Sequence, residues 1–111
     1  MKKRFYITTA IDYVNGNPHI GHAFEKVQAD VLARYHRALG EDVFFLTGTD
    51  EHGVKIVRAA KEAGMPVRDF VNKNAKVFRG LVGALDISSD YFIRTSDRRV
   101  HWPGAQKMWR A

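Results

Sequence analysis

Cysteine is absent from the 111 residues. Disulfides and thiolate metal sites are thereby excluded, and the composition fits a reducing compartment. Long hydrophobic runs are missing too. No stretch approaches the ~18 apolar residues of a membrane span, and the N-terminus has no apolar segment with a cleavage site. A cytoplasmic location with no membrane partner is the expectation. Proline is scarce, at three residues, and no repeat, low-complexity tract or linker breaks the chain, so residues 1–111 read as one continuous unit. Acidic residues are outnumbered, 12 against 18 Lys and Arg, for a net charge of +6. That excess suits a polyanionic partner and equally a solubilising surface, because the basic residues are scattered apart from Lys2-Lys3-Arg4 and Arg98-Arg99.

What the chain does have is apolar material. It is 45% hydrophobic, with seven Phe, four Tyr and two Trp, enough for a core of useful size. The run Phe5 to Ile11 is rich in β-branched and aromatic residues and predicts a buried strand. Asn15-Gly16-Asn17-Pro18 then punctuates a loop. From about His19 to Leu39 the spacing predicts a helix. Its core stripe would be Ile20, Ala23, Phe24, Val27, Val31, Leu32, Tyr35 and Leu39, with Glu25, Lys26, Asp30, Arg34 and Arg37 facing solvent and Gly40 capping the end.

Asp42 to Thr47 predicts a second buried strand, Val54 to Ala63 a short helix, and Pro66 to about Leu85 a third helix. The core stripe of that third helix would be Val67, Phe70, Val71, Phe78, Leu81, Val82 and Leu85. Tyr91 to Arg94 reads as a third strand. Ser96 is placed to cap a last helical stretch, with Pro103 restarting or kinking it. Trp102, Met108 and Trp109 are expected in a core or interface, and His36 and His101 at the surface or in packing. This alternation is the grammar of an α/β fold, a parallel sheet with helices on its faces. Ligands of such sheets bind beyond the carboxyl ends of the strands.

Two polar clusters fall at those ends. The first is Pro18-His19-Ile20-Gly21-His22, where a strand hands over to a helix. The first turn of a helix has unpaired N–H groups and a partial positive charge that attract anions. His19 and His22, three apart, share a face there, and each imidazole can donate to a phosphate oxygen. Gly21 between them lets a ligand approach the backbone closely. Paired histidines at this spacing also suit a metal, and a lone histidine can serve only as a cap; the strand before and the long helix after favour phosphate. The second cluster is Leu46-Thr47-Gly48-Thr49-Asp50-Glu51-His52-Gly53. Asp50 there either receives an ammonium group or, with Thr49, caps the next helix while Glu51 complements its dipole.

His19-Ile20-Gly21-His22 resembles the His-Ile-Gly-His signature of class I aminoacyl-tRNA synthetases. Gly-Thr-Asp-Glu-His-Gly at 48–53 is similar to a segment typical of the methionyl-tRNA synthetases among them. The likeness extends through Ile11-Asp12-Tyr13-Val14-Asn15-Gly16, Ala29 to Tyr35 and Asp90 to Thr95, although Asp12 stands where many members carry proline or an aromatic residue.

The resemblance implies a partial Rossmann-like nucleotide-binding fold, the N-terminal half of a class I synthetase catalytic domain. It also implies ATP-dependent activation of methionine to methionyl-adenylate, with Mg²⁺, and transfer to tRNA(Met). His19, Gly21 and His22 would serve ATP, the two histidines catalytically. Asp50 would hold the methionine ammonium, and Ile11 and Tyr13 would line the side-chain pocket. A thioether against an aromatic ring is worth ~0.3–1.5 kcal/mol. For Ile11 and Tyr13 the alternative is plain core packing.

Family members are several times longer. Their zinc knuckle lies downstream, so zinc is not expected in this stretch, and nothing here matches their Lys-Met-Ser-Lys-Ser-type loop. The sequence stops in a helical pattern at Met108-Trp109-Arg110-Ala111 with no capping residue. It is therefore expected to be an incomplete catalytic domain, inactive alone, with an unpaired sheet edge and apolar surface prone to self-association. Two other functions remain open: another synthetase or nucleotidyltransferase using the same histidines, and a non-catalytic basic RNA-binding fragment. A small metal site built from His19, His22 and His52 is a third.

Overall fold

The computed structural model describes residues 1–111. Its elements are β1 (Arg4–Tyr13), α1 (Ile20–Ala38), β2 (Asp42–Asp50), α2 (Val54–Glu62), α3 (Val67–Ala84), β3 (Tyr91–Arg94) and α4 (His101–Arg110). The strands form one parallel sheet in the order β1-β2-β3. Each element coincides with a segment expected from the sequence. β1 and β2 run past their apolar stretches because Asp12, Tyr13, Thr49 and Asp50 continue the ladder.

Both crossovers advance in the same direction across the sheet, and right-handed connections then put their helices on one face. Val82 of α3 accordingly packs against the same cluster as Ala29 and Ala33 of α1 and Phe45 of β2. The parallel sheet with flanking helices is the expected α/β arrangement, with α1 and α3 on the same face. On the other side Tyr6, Ile11, Tyr13, Phe44 and Tyr91 are exposed, with Tyr6 stacked on Phe44. A bulge sets two residues of β1, Thr9 and Ala10, against Thr47 alone. It switches the open side of β1 from even-numbered residues (Tyr6, Thr8) to odd-numbered ones (Ile11, Tyr13), re-aiming the strand end.

The helix α1 departs from its expected orientation. Its buried residues are Lys26, Ala29, Asp30 and Ala33, while Ile20, Phe24, Val27, Val31, Leu32, Tyr35 and Leu39 are exposed. Small side chains at 29 and 33 let the helix approach the sheet closely, and the two buried charges beside them are satisfied. Lys26 pairs with Asp12. Asp30 accepts from Ser88 N and Oγ at 2.7 and 2.6 Å and from Arg34 Nε at 2.7 Å. Burial alone would raise the Asp30 carboxyl, but the bonds from Ser88 and Arg34 outweigh it and hold the group below its ordinary value.

α3 follows its stripe more faithfully. Phe70, Val71 and Phe78 are buried, whereas Val67 and Leu85 at the ends are exposed. Gly40, at φ +78°, follows Leu39, the cap residue of α1, and ends the helix as expected. Ser96 does not cap α4. The cap is Val100, the Asp97 carboxylate accepts from the N–H groups of Arg99 and Val100, and Pro103 sits in the first turn. Met108 and Trp109 are exposed, and Trp102 donates its indole N–H to the Thr95 carbonyl. His36 does pack, stacked on Phe5 with centroids 3.5 Å apart. No helix is long and apolar enough to cross a membrane.

Candidate active site

Because β1 and β2 are parallel, their carboxyl ends lie side by side. Asp12 is in register with Thr49, and Tyr13 with Asp50. The two polar clusters therefore meet at one edge of the sheet. Alternation divides them: Asp12 points to the α1 side, and Tyr13 and Asp50 to the open side.

At the mouth of α1 the histidines cap the helix reciprocally. His19 Nδ1 accepts from Gly21 N at 3.0 Å, and His22 Nδ1 accepts from His19 N at 3.0 Å. The N–H groups of His22 and Ala23 go to the His19 carbonyl. Most first-turn donors are thus used within the chain, contrary to the simple picture of bare N–H groups waiting for an anion. Each Nδ1 that accepts a bond is unprotonated, so the neutral ring carries its proton on Nε2. The helix end presents two imidazole N–H donors in place of its backbone, with ring centroids 3.9 Å apart. Gly21 fits this cap closely. A Cβ there would lie 2.8 Å from His19 Cε1 and 3.0 Å from Nδ1.

His22 is the more enclosed ring, perpendicular to Phe78 with centroids 5.2 Å apart and with Nε2 3.9 Å from Asp12 Oδ1. Burial lowers its pKa from the ordinary 6.5. The Asp12 carboxylate opposes that shift, and His19 and Lys26 reinforce it. Asp12 and Lys26 are 5% and 0% exposed, and their ion pair lies on the Nε2 side of the ring.

On the second cluster the capping alternative fails. α2 begins at Val54 with Gly53 as its cap residue, and no side chain caps it. Asp50 receives only long bonds, from His52 N at 3.4 Å and Thr95 Oγ1 at 3.5 Å, which leaves its carboxylate free to accept more. Glu51 is turned inward and fully used. It accepts from Thr49 Oγ1 at 2.8 Å, Arg94 Nε at 2.6 Å and Ser96 Oγ, while Arg94 also donates to Asn72. The sequence had assigned Arg94 no role; it joins the end of β2 to α3 and β3.

Ile11 and Tyr13 are 40% and 43% exposed, so neither is core. The Tyr13 hydroxyl lies against Gly53, where a Cβ would approach it to 2.7 Å and where φ is +134°. His52 is exposed. No group of three or more His, Cys, Asp or Glu converges to hold a metal, which removes the proposed three-histidine site. A groove of about 820 Å³ beside β3, lined by Glu51, Arg94, Arg98 and Trp102 among others, includes neither His19 nor His22.

Comparison with known proteins decides the kinship. The family model for tRNA synthetases class I (M) matches residues 5–111. The chain belongs to the class I (M) tRNA synthetase family. Among similar members, the methionine–tRNA ligase of Brucella suis is 46% identical over 99% of this chain and 21% of its own length. That of Thermotoga maritima is 54% identical over 85% of the chain and 15% of its own length. A structure of the Mycobacterium tuberculosis methionyl-tRNA synthetase in complex with methionyl-adenylate superposes with a TM-score of 0.93 at 47% identity, covering 97% of this chain and 21% of that one. The three-stranded sheet with its helices is thus a synthetase fold, and the chain spans about 21% of the length of several such relatives.

Proposed function

We propose that this chain forms the ATP- and methionine-facing part of a methionine–tRNA ligase. The observation that carries this is the pair of imidazoles capping the mouth of α1, which follows β1, while the neighbouring carboxyl end of β2 holds Asp50, a carboxylate with no cationic partner. His19 and His22 would donate to the phosphate oxygens of ATP, with Gly21 keeping the His19 ring in place. Asp50 would bind the methionine ammonium on the open side of the sheet, and Tyr13 and Ile11 would receive its side chain.

A methionine held there sends its carboxylate toward the sheet edge, where it attacks the α-phosphorus. A C(=O)–O–P bond forms, the bond to pyrophosphate breaks, and methionyl-adenylate results. Preorganised imidazole donors stabilise the charge that builds on the transferring phosphoryl oxygens. Mg²⁺ would accompany the triphosphate as its counter-ion. Transfer of the methionyl group to tRNA(Met) is the second half of the proposed activity, and the net charge of +6 supports a polyanionic partner. The uncovered apolar faces of α1 and the sheet also support association of the chain with a second copy, which sedimentation at rising concentration would detect.

The test uses a stable mimic of methionyl-adenylate titrated into the chain, with leucyl and isoleucyl mimics beside it. Methionyl binding should be tighter by about tenfold, within the ~1–3 kcal/mol a modest apolar pocket can discriminate. Equal affinity for all three would defeat the methionine assignment.

A further inference from the structure

We propose that Asp12 and Lys26 act as a charge-balanced positioning pair for His22. The Asp12 carboxylate faces the Nε2 edge of the ring from 3.9 Å, beyond hydrogen-bond reach, so it orients that edge by its charge and leaves the N–H to a phosphate. The Lys26 ammonium cancels the charge that this carboxylate would otherwise present to the phosphate. The proposal rests on His22 being a phosphate donor.

The geometry is specific. Lys26 lies one helical turn beyond His22 and is among the largest fully buried side chains of the protein. A lysine is almost never buried completely unless paired. Its Nζ meets Asp12 Oδ2, and Asp12 Oδ1 faces His22 Nε2 at 3.9 Å. The three groups form a row, ammonium, carboxylate and imidazole, on the helix side of the strand end. A lone carboxylate in that row would repel a triphosphate and draw a second proton onto His22. Such a proton would have to sit on Nδ1, breaking the bond from His19 N that organises the cap. With Lys26 beside it the carboxylate orients the ring without imposing that cost. The other groups facing His22 are His19 and Glu25 from α1, and α3 contributes the apolar ring of Phe78.

Imidazole NMR titration of the intact chain tests this, with His36 and His101 as internal controls. Lys26→Met should raise the His22 midpoint and Asp12→Asn should lower it, each by about one unit, the scale of a single charge a few Å away. The neutral Asp12→Asn/Lys26→Met double variant should fall near the original. A role confined to folding cannot move one ring in opposite directions while the controls stay still. Midpoints that shift together, or not at all, overturn the proposal.

Mg-ATP titrated into the same samples separates it from the function proposed above. Lys26→Met should weaken binding about tenfold and the double variant should recover it. If His22→Ala abolishes ATP binding while Lys26→Met leaves it unchanged, the pair has no such role and the phosphate site survives. If His22→Ala leaves ATP binding intact, the phosphate site itself fails and the proposal falls with it.

Discussion

Tyr13 and Asp50 are direct register partners at the carboxyl ends of β1 and β2, on the side of the sheet that no helix covers. A phenol ring and a carboxylate with only long hydrogen bonds thus stand side by side at the point where the two polar clusters meet. Asp50→Asn keeps the size and removes the charge. A hydrogen bond to a charged group is worth ~1.5–3 kcal/mol, so methionine affinity should fall about ten- to hundredfold in calorimetric titration. Thermal stability should stay within about 1 °C, since the carboxylate carries little of the fold.

Gly21→Ala separates helix stability from ligand binding. Alanine in place of glycine inside a helix gains roughly 0.5–1 kcal/mol. Here the new Cβ would press on the His19 ring at 2.8 Å and displace it. ATP affinity is expected to drop about tenfold, the cost of one misplaced donor, while the melting temperature is unchanged or higher. A stable variant with full ATP affinity would show that the His19 ring does not serve the phosphates.

The buried carboxylate of Glu51 should matter for folding instead. Glu51→Ala orphans Arg94, Thr49 and Ser96 together. Breaking a buried pair costs ~3–5 kcal/mol, and Arg94 is partly exposed, so about 2–3 kcal/mol is expected. Urea denaturation measures it. In the partner variant Arg94→Lys the ammonium cannot reproduce both bonds of the guanidinium, to Glu51 and to Asn72. It should be destabilised by a smaller amount.

Stability should depend on pH in two steps. His22 titrates below its ordinary 6.5 in the folded chain because burial disfavours its charge. The unfolded chain then binds more protons in that window. Its stabilising share is complete above pH 6.5 and declines as pH falls from there toward the folded value. Asp30 and Glu41 are held below their ordinary 3.8 and 4.5 despite burial. Ser88 and Arg34 bond the first, and His36, with Lys3, the second. Their contribution is present above those values and is lost as pH drops through the folded ones. In denaturation midpoints measured from pH 8 to 3, His22→Gln should remove the upper step and spare the lower.

Much of the fold is written in local pattern. The strand composition of 5–11 and 42–47, the glycine after α1 and the apolar spacing of α3 each name their element, and two polar strings at strand ends name the site. What the pattern could not give was which side of α1 meets the sheet. Apolar spacing counts Phe24, Val31 and Tyr35 as core, yet close approach to a sheet favours Ala29 and Ala33, and buried charge is tolerated once paired. The pairing partners lie far off in sequence, as with Asp30 and Ser88 or Glu51 and Arg94, and no local spacing signals them. The pairing of Asp12 with Lys26 went unread for the same reason.

At the centre stands the claim that the Nε2–H groups of His19 and His22 receive the phosphates of ATP. Mg-ATP titrated into chain carrying ¹⁵N-labelled histidine measures it directly. The Nε2 resonances of His19 and His22 should move together and saturate, with those of His36, His52 and His101 unmoved. If ATP binds while those two signals stay fixed, or shifts the other three instead, the phosphates lie elsewhere and the account is contradicted.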